Sequence, residues 1–235
     1  MCFHPPGFDA CFSSYSLARN TAVSGADELR QRLGVPAAQD NLARATEMAF
    51  ASVAGQPDGQ LLWLGAQREA DAWQLPVLDD TFRVDLPGGR ITTSAGRVVG
   101  PHWSILVLHY LATASRPERR RAEATFADLA AARSYAGVYH QRVIARLCAT
   151  VGRDAQTLSA AARGLGGRAA EAGDLAFDFD VFPRVPMRLI WHAADEEFAA
   201  SATLLMPENI ESYFSSEDIV VLSERLVSRL AGRPF

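Results

Sequence analysis

FPRVPMRLIWHAADEEFAASATLLMPENIESYFSSEDIVVLSERLVSRL, Phe182 to Leu230, carries two apolar strand-like runs, MRLIWHA and SATLLMP, joined by an acidic link and followed by a capped helix. The helix is marked at both ends. Ser215 stands where an N-cap hydroxyl is needed, with Asp218 in the reciprocal position, and Gly232 with Pro234 stops the helix. Between them Ile219, Leu222, Leu226 and Leu230 recur at helical spacing and form one inward face. Just upstream, LAFDFDVF alternates apolar and acidic residues, with Leu175, Phe177, Phe179 and Val181 on one side, the pattern of a half-buried strand. The last third therefore reads as a strand meander closed by a helix.

Working outward, Gly100 and Pro101 open a helix whose apolar face is Trp103, Leu106, Val107, Tyr110 and Leu111. Ser134 precedes a second helix carrying Tyr135, Val138, Tyr139, Val143, Leu147 and Val151, and an Ala-rich third runs from Asp154 to Arg163 and stops at GLGG. Before this helical middle, LLWLGA, DAWQLPVL, TFRVDL and RITTSAG are short β-prone runs separated by turn residues, with Leu86 to Gly89 the tightest turn. Pro76 confines its run to an edge position or a strand end, because proline donates no ladder hydrogen bond. Ala26 to about Ala54 reads as two short helices interrupted near Gly34 and Pro36. The expected fold is α+β: an N-terminal and a C-terminal antiparallel meander around a helical middle, with a closing C-terminal helix. Residues 1–20 read as an irregular arm and 21–235 as a single domain, with a possible sub-boundary at 55–60, the breaker GQPDGQ.

Net charge is −4 and no apolar run approaches the ~20 residues of a membrane span, which argues against nucleic-acid and membrane partners and predicts a soluble, cytoplasmic protein. All 23 basic residues are arginine. Without lysine, Schiff-base chemistry and a Walker phosphate loop are excluded, and any anion must be held by arginine, backbone amides or a metal. Three cysteines, Cys2, Cys11 and Cys148, are too few and too scattered for a disulfide framework or a four-cysteine cluster, and Cys148 reads as a small buried hydrophobe.

The residues able to carry chemistry are few. His102 and His109 lie seven residues apart on one helix, about 10 Å along its axis, too far to share one metal ion. His109 suits an axial ligand to a corrinoid or other tetrapyrrole, a proton shuttle, or a packing histidine bonded to backbone or Asp. His192 ends MRLIWHA three residues before Asp195, Glu196 and Glu197, so a histidine–carboxylate arrangement and a solvated acidic turn are both open. Asp174, after Gly173, either turns the chain into the following strand or bonds a partner. Cys2, His4 and Cys11 fall one ligand short of a structural zinc site, and no metal is assigned. GLGG followed by Arg168 ends a helix pattern and reads as a cap, and RPERRR, Arg116 to Arg121, as a solvated linker.

HYL at His109 to Leu111 within ILVLHYL, FPRVP at Phe182 to Pro186, the Gly173–Asp174 step, DEEF at Asp195 to Phe198 and SED at Ser216 to Asp218 give the chain a resemblance, over roughly Leu61 to Leu230, to the bacterial and archaeal family catalogued as domain of unknown function 3786. The resemblance implies relatives mostly from anaerobes, some with an iron–sulfur domain of the kind seen in corrinoid iron–sulfur proteins ahead of this one. This chain departs from those in having no Cys-x-x-Cys. It implies a non-enzymatic accessory protein that binds a small molecule or cofactor in anaerobic redox or corrinoid metabolism, with an iron–sulfur or corrinoid protein as partner. The expected lining is His102, Trp103, His109 and Tyr110 from the helix with Trp191 and His192 from the sheet. The alternatives are an enzyme using His109 or His192 with Asp174, Asp195 or Glu196 in a cleft, and a structural or interaction domain.

Overall fold

The structure, a computed structural model, describes residues 38–130 and 135–235. The N-terminal arm with Cys2, His4 and Cys11, the helical pattern before residue 38, and Ser134 lie outside the described residues.

Helix α1 (Ala38–Ala54) turns Ala49 and Val53 into the core. Pro57 then leads into a short helix α2 (Asp58–Trp63), where the LLWLGA run was expected to be a strand. A short apolar run has no period to separate helix from strand, and here the turn residues decide. Asp58 occupies the first turn, while at the far end Gly65 N–H bonds Leu62 O and Ala66 N–H bonds Leu61 O, both at 3.0 Å. That pair of bonds is a Schellman cap, and Gly65 adopts the left-handed φ of +92° that the cap requires.

Strands β1 (Gln67–Glu69), β2 (Ala72–Val77), β3 (Asp80–Asp85) and β4 (Arg90–Thr92) form an antiparallel meander in that order. Pro76 pairs with Thr81 of β3, but β1 reaches only as far as Gln74, so the proline sits where β2 is an edge. The second sheet has the order β5-β9-β8-β7-β6, from β5 (Ala122–Ala124), β6 (Arg168–Ala170), β7 (Leu175–Phe182), β8 (Val185–His192) and β9 (Ser201–Pro207). In β7, Phe177, Phe179 and Val181 are buried, and a register shift near the strand end buries Phe182 as well. On the opposite face Arg188 grips Asp178 with two hydrogen bonds of 2.6 and 2.9 Å, and Arg168 and Arg119 share Asp180.

Helix α3 (Pro101–Leu111) ties the two sheets into one core. Near its start, Trp103 meets Phe82 of β3 and Phe235 edge-on, with centroids 6.4 and 5.2 Å away. Near its end, Tyr110 stacks on Phe182 of β7 at 4.6 Å and on Tyr213 at 5.8 Å. Burying side chains of this size stabilises by roughly 1.5–3 kcal/mol each, so this single helix couples both meanders.

Helices α4 (Ala136–Tyr139) and α5 (Arg146–Ala149) are joined by a π-helical segment, His140–Ala145. Tyr139, Val143 and Leu147 are buried as expected, but Tyr135 and Val138 are exposed. The longer hydrogen-bond spacing of the π turn shifts the helix face, so residues in phase with an α-helix upstream of it turn to solvent. Helix α6 (Ala155–Gly164) is capped by Asp154, which accepts from Thr157 N–H, and GLGG closes it through Gly166 N–H to Arg163 O and Gly167 N–H to Ala162 O. Helix α7 (Ser216–Leu230) closes the fold: Ser215 and Asp218 form the reciprocal capping box, and Ile219, Leu222, Leu226 and Leu230 are buried.

Candidate functional site

Helix α3 meets the first turn of α7 at one polar contact: His109 Nδ1 lies 3.0 Å from Asp218 Oδ1. The geometry follows from the two sequences. HYL puts Tyr110 and Leu111 into the core and leaves His109 at the rim, while the capping box fixes the Asp218 carboxylate, whose other oxygen accepts from Ser215 N–H and Oγ. A carboxylate accepts only, so Nδ1 carries the proton and Nε2 is the nitrogen left for another partner. The His109 side chain is 40% exposed and that of Asp218 16%. The hydrogen bond to Asp218 holds His109 above the ordinary imidazole value, against a smaller opposing effect of burial. Burial pushes Asp218 up, yet the bonds from His109 and Ser215 outweigh it and leave the carboxyl below its usual range. His102, two turns earlier, goes the other way, pushed down first by burial and then by the Arg225 guanidinium.

Because folding raises the affinity of His109 for its proton, the stabilisation from the pair is complete below about pH 6.5 and is lost as pH rises through the higher folded value. With the imidazole partly solvated this amounts to about 0.5–1 kcal/mol. An NMR titration of the His109 ring is expected to place its midpoint above 6.5 and Asp218→Asn to bring it back down. A wild-type midpoint at or below that value would contradict the pairing.

The other expected residues take different places. Trp103 and Tyr110 are core, and Tyr110 donates to Leu64 O at 2.6 Å. Trp191 is buried and donates to Gly152 O at 2.9 Å. His192 ends β8 in solvent. Beside it, Asp174 accepts from Ala193 N–H at 2.8 Å, and Gly173 packs so closely that a Cβ there would lie 2.8 Å from Trp191 O. Asp195 accepts from Glu197 N–H and Phe198 N–H, which closes the acidic turn and, through the Phe198 bond foremost, holds its carboxyl low; Glu196 and Glu197 are exposed.

The structure thus brings His109 to Asp218 and ties Asp174 to the backbone on either side of His192, but it does not bring these two places together. Tyr110 stacks at Phe182, which pairs with Val185, and Trp191 lies six residues further along β8, about 20 Å away at ~3.3 Å per residue. Four clefts of about 170 to 290 Å³ are among those that open in the described residues, and none of these four is lined by any of the ten candidates. Among the described residues no three His, Cys, Asp or Glu side chains group to hold a metal ion, and Cys148 is half-buried with its thiol pushed up by burial.

The arginines of RPERRR and FPRVP are more firmly held than the expected solvated linker. RPERRR is not a free linker. Arg116 donates from Nε to Gln60 Oε1 and from Nη2 to Gly59 O, and Arg119 from Nε to Pro183 O and from Nη2 to Asp180. Arg184, in FPRVP, lies 3.5 Å over the Trp63 ring and donates from Nε to Trp63 O at 2.6 Å. Proline on either side of this arginine was the available signal, since it stiffens the turn that presents the side chain.

Residues 61–229 match the family model described as Domain of unknown function (DUF3786). No curated protein and no solved structure matches the chain. No helix among the described residues is long and apolar enough to cross a membrane.

Proposed function

We propose that the chain, which belongs to the DUF3786 family, is a non-enzymatic binding protein of the cytoplasm that presents His109 as a single axial ligand to a corrinoid or other tetrapyrrole, as an accessory to an anaerobic redox or corrinoid system. The observation that carries this reading is the His109–Asp218 pair. Histidines that bind metals almost always give their second ring N–H to a carboxylate or carbonyl, which fixes the tautomer and raises the basicity of the coordinating nitrogen. His109 has that arrangement, with Nδ1 on Asp218 and a partly exposed ring. The donor set fits one open position on a macrocyclic metal rather than a protein-built cage. Bound there, the macrocycle would supply the redox chemistry, while His109 orients and holds it and Asp218 holds His109. An iron–sulfur or corrinoid partner protein follows from the family resemblance alone.

The same pair could orient a general base, as the enzymatic alternative requires. That alternative also needs a substrate cleft, and none of the four clefts described includes His109. The test is anaerobic purification with absorption spectroscopy and metal analysis, then titration with aquocobalamin and with haem. Wild-type protein is expected to shift the absorption bands, His109→Ala to abolish the shift, and Asp218→Asn to weaken binding about 10–100-fold. Affinity should rise with pH through the elevated His109 value, because the ligand is the neutral ring. Titrations identical in wild type and His109→Ala would end the proposal.

A further inference from the structure

The segment from Arg119 to Glu123 carries the chain from the β7–β8 turn, Pro183 and Arg184, to the outer side of β9, and a cleft of about 280 Å³ opens between it and the open face of the second sheet. Arginines surround this cleft. Arg119 and Arg121 line it from the segment, Arg168 from β6 and Arg188 from β8, and only two carboxylates, Asp178 and Glu123, join them there. The sheet register sets the spacing of its floor: Arg168, Asp178 and Arg188 stand opposite one another on three neighbouring strands, so the two arginine backbones lie about 10 Å apart at ~4.8 Å per strand.

The acids hold the guanidinium forks without closing the cleft. Arg188 donates from Nε and Nη2 to the two oxygens of Asp178, while Arg119 Nη2 and Arg168 Nη1 take one oxygen each of Asp180, which stands outside the lining. All four carboxylate oxygens are thereby engaged. Among the described residues Arg188 Nη1, Arg119 Nη1 and Arg168 Nη2 meet no partner, and Arg121 meets none at any nitrogen. The acids nearest Arg121 in sequence and along β9 do not neutralise it, because Glu118 and Glu208 pair with Arg120. The cleft is left with donors already aimed and with more positive than negative charge in its walls.

We propose that Arg121, Arg119, Arg168 and Arg188 form a binding site for a tetrahedral oxyanion, the phosphate group of a small molecule. Unused nitrogens from three separate parts of the chain border the cleft, which suits the three terminal oxygens of a phosphate better than the single plane of a carboxylate. The pairs with Asp178 and Asp180 preset three of the forks, so little side-chain freedom is lost when the anion arrives. Glu123, bonded to none of the four, repels a second negative group and accepts from a hydroxyl, so a hydroxylated phosphate ester fits the lining better than a diphosphate. Arg119 and Arg168 are 51% and 59% exposed, which makes the attraction sensitive to salt. The lining includes neither His109 nor Asp218, so loss of the cobalamin response would leave this proposal standing.

The test uses the full chain in a low-salt buffer free of phosphate, with inorganic phosphate, glycerol 3-phosphate and acetate as separate probes in calorimetry and thermal melting. At least one of the two phosphates is expected to bind one-to-one, to raise the melting temperature and to weaken as sodium chloride is added, with acetate binding less tightly. Tighter binding of glycerol 3-phosphate identifies a phosphate ester as the ligand, and equal or tighter binding of inorganic phosphate identifies the free ion. Arg121→Gln is expected to reduce affinity about fivefold or more, the loss of a charge-assisted bond, while melting as wild type does without ligand, since the side chain it replaces has no partner among the described residues. Arg168→Gln is expected to lose a similar factor, and Arg121→Gln alone decides the matter if Arg168→Gln does not fold. Arg90→Gln, which removes the same charge from β4 of the first sheet, should bind as wild type does. The proposal is overturned if neither phosphate binds, if acetate binds as tightly as they do, if Arg121→Gln binds as tightly as wild type, or if Arg90→Gln loses as much affinity as Arg121→Gln.

Discussion

Gly65→Ala is expected to destabilise the protein by about 3 kcal/mol, read as a lower urea midpoint at unchanged slope. Two costs add. The residue holds a φ of +92°, where an L side chain costs roughly 1–2 kcal/mol. The new Cβ would lie 2.6 Å from Pro183 Cβ and 2.8 Å from its Cγ, a separation real atoms do not keep, and relieving such overpacking costs roughly 1–3 kcal/mol. A proline ring in a tight turn cannot swing aside as a long side chain would, so α2 or the β7–β8 turn must move. Gly55→Ala is the matched control: nothing lies within 4 Å of its added Cβ, and the change should stay within about 0.5 kcal/mol. Equal effects at the two glycines would mean that α2 does not rest on the turn.

Local signals survived the passage from sequence to structure, and long-range pairings did not. LAFDFDVF declared its buried side because a strand's faces alternate with a fixed period of two, and the Ser215–Asp218 box declared the start of α7 because both partners lie within one turn. LLWLGA was misread because six residues hold too few turns to display a helical period; Gly65, sitting as it would in any helix cap, was the better guide. The π segment left no sequence mark, and its cost was the misassigned face of Tyr135 and Val138. His109 and Asp218 were each singled out through the family resemblance, yet 109 residues separate them, and nothing in either segment names the other. Arg184 was harder still. In a chain with 23 arginines and no lysine, composition does not distinguish a guanidinium stacked on Trp63 from one in solvent.

Tyr110→Ala should cost about 4–5 kcal/mol and Tyr110→Phe about 2 kcal/mol, and their difference bears on the fold and the proposed ligand together. Tyr110 is fully buried, stacked on Phe182 at an interplanar angle of 14°, and its hydroxyl closes the Leu64 carbonyl at the end of α2. Removing only the hydroxyl strands a buried acceptor, a loss of roughly 1–3 kcal/mol. Removing the ring adds a cavity between the sheets, and aromatic-to-alanine changes in cores cost roughly 3–5 kcal/mol. His109 precedes Tyr110 by one residue, about 100° around the helix, so the two point to different surroundings. Tyr110→Phe should therefore unfold at lower urea while leaving the cobalamin titration as in wild type. His109→Gln should do the reverse, with little loss of stability and no spectral shift. If Tyr110→Phe also abolished the shift in protein shown to be folded, the ligand would have to reach the interior of the core rather than its rim. A cost for Tyr110→Ala under about 2 kcal/mol would instead mean that α3 does not couple the two meanders.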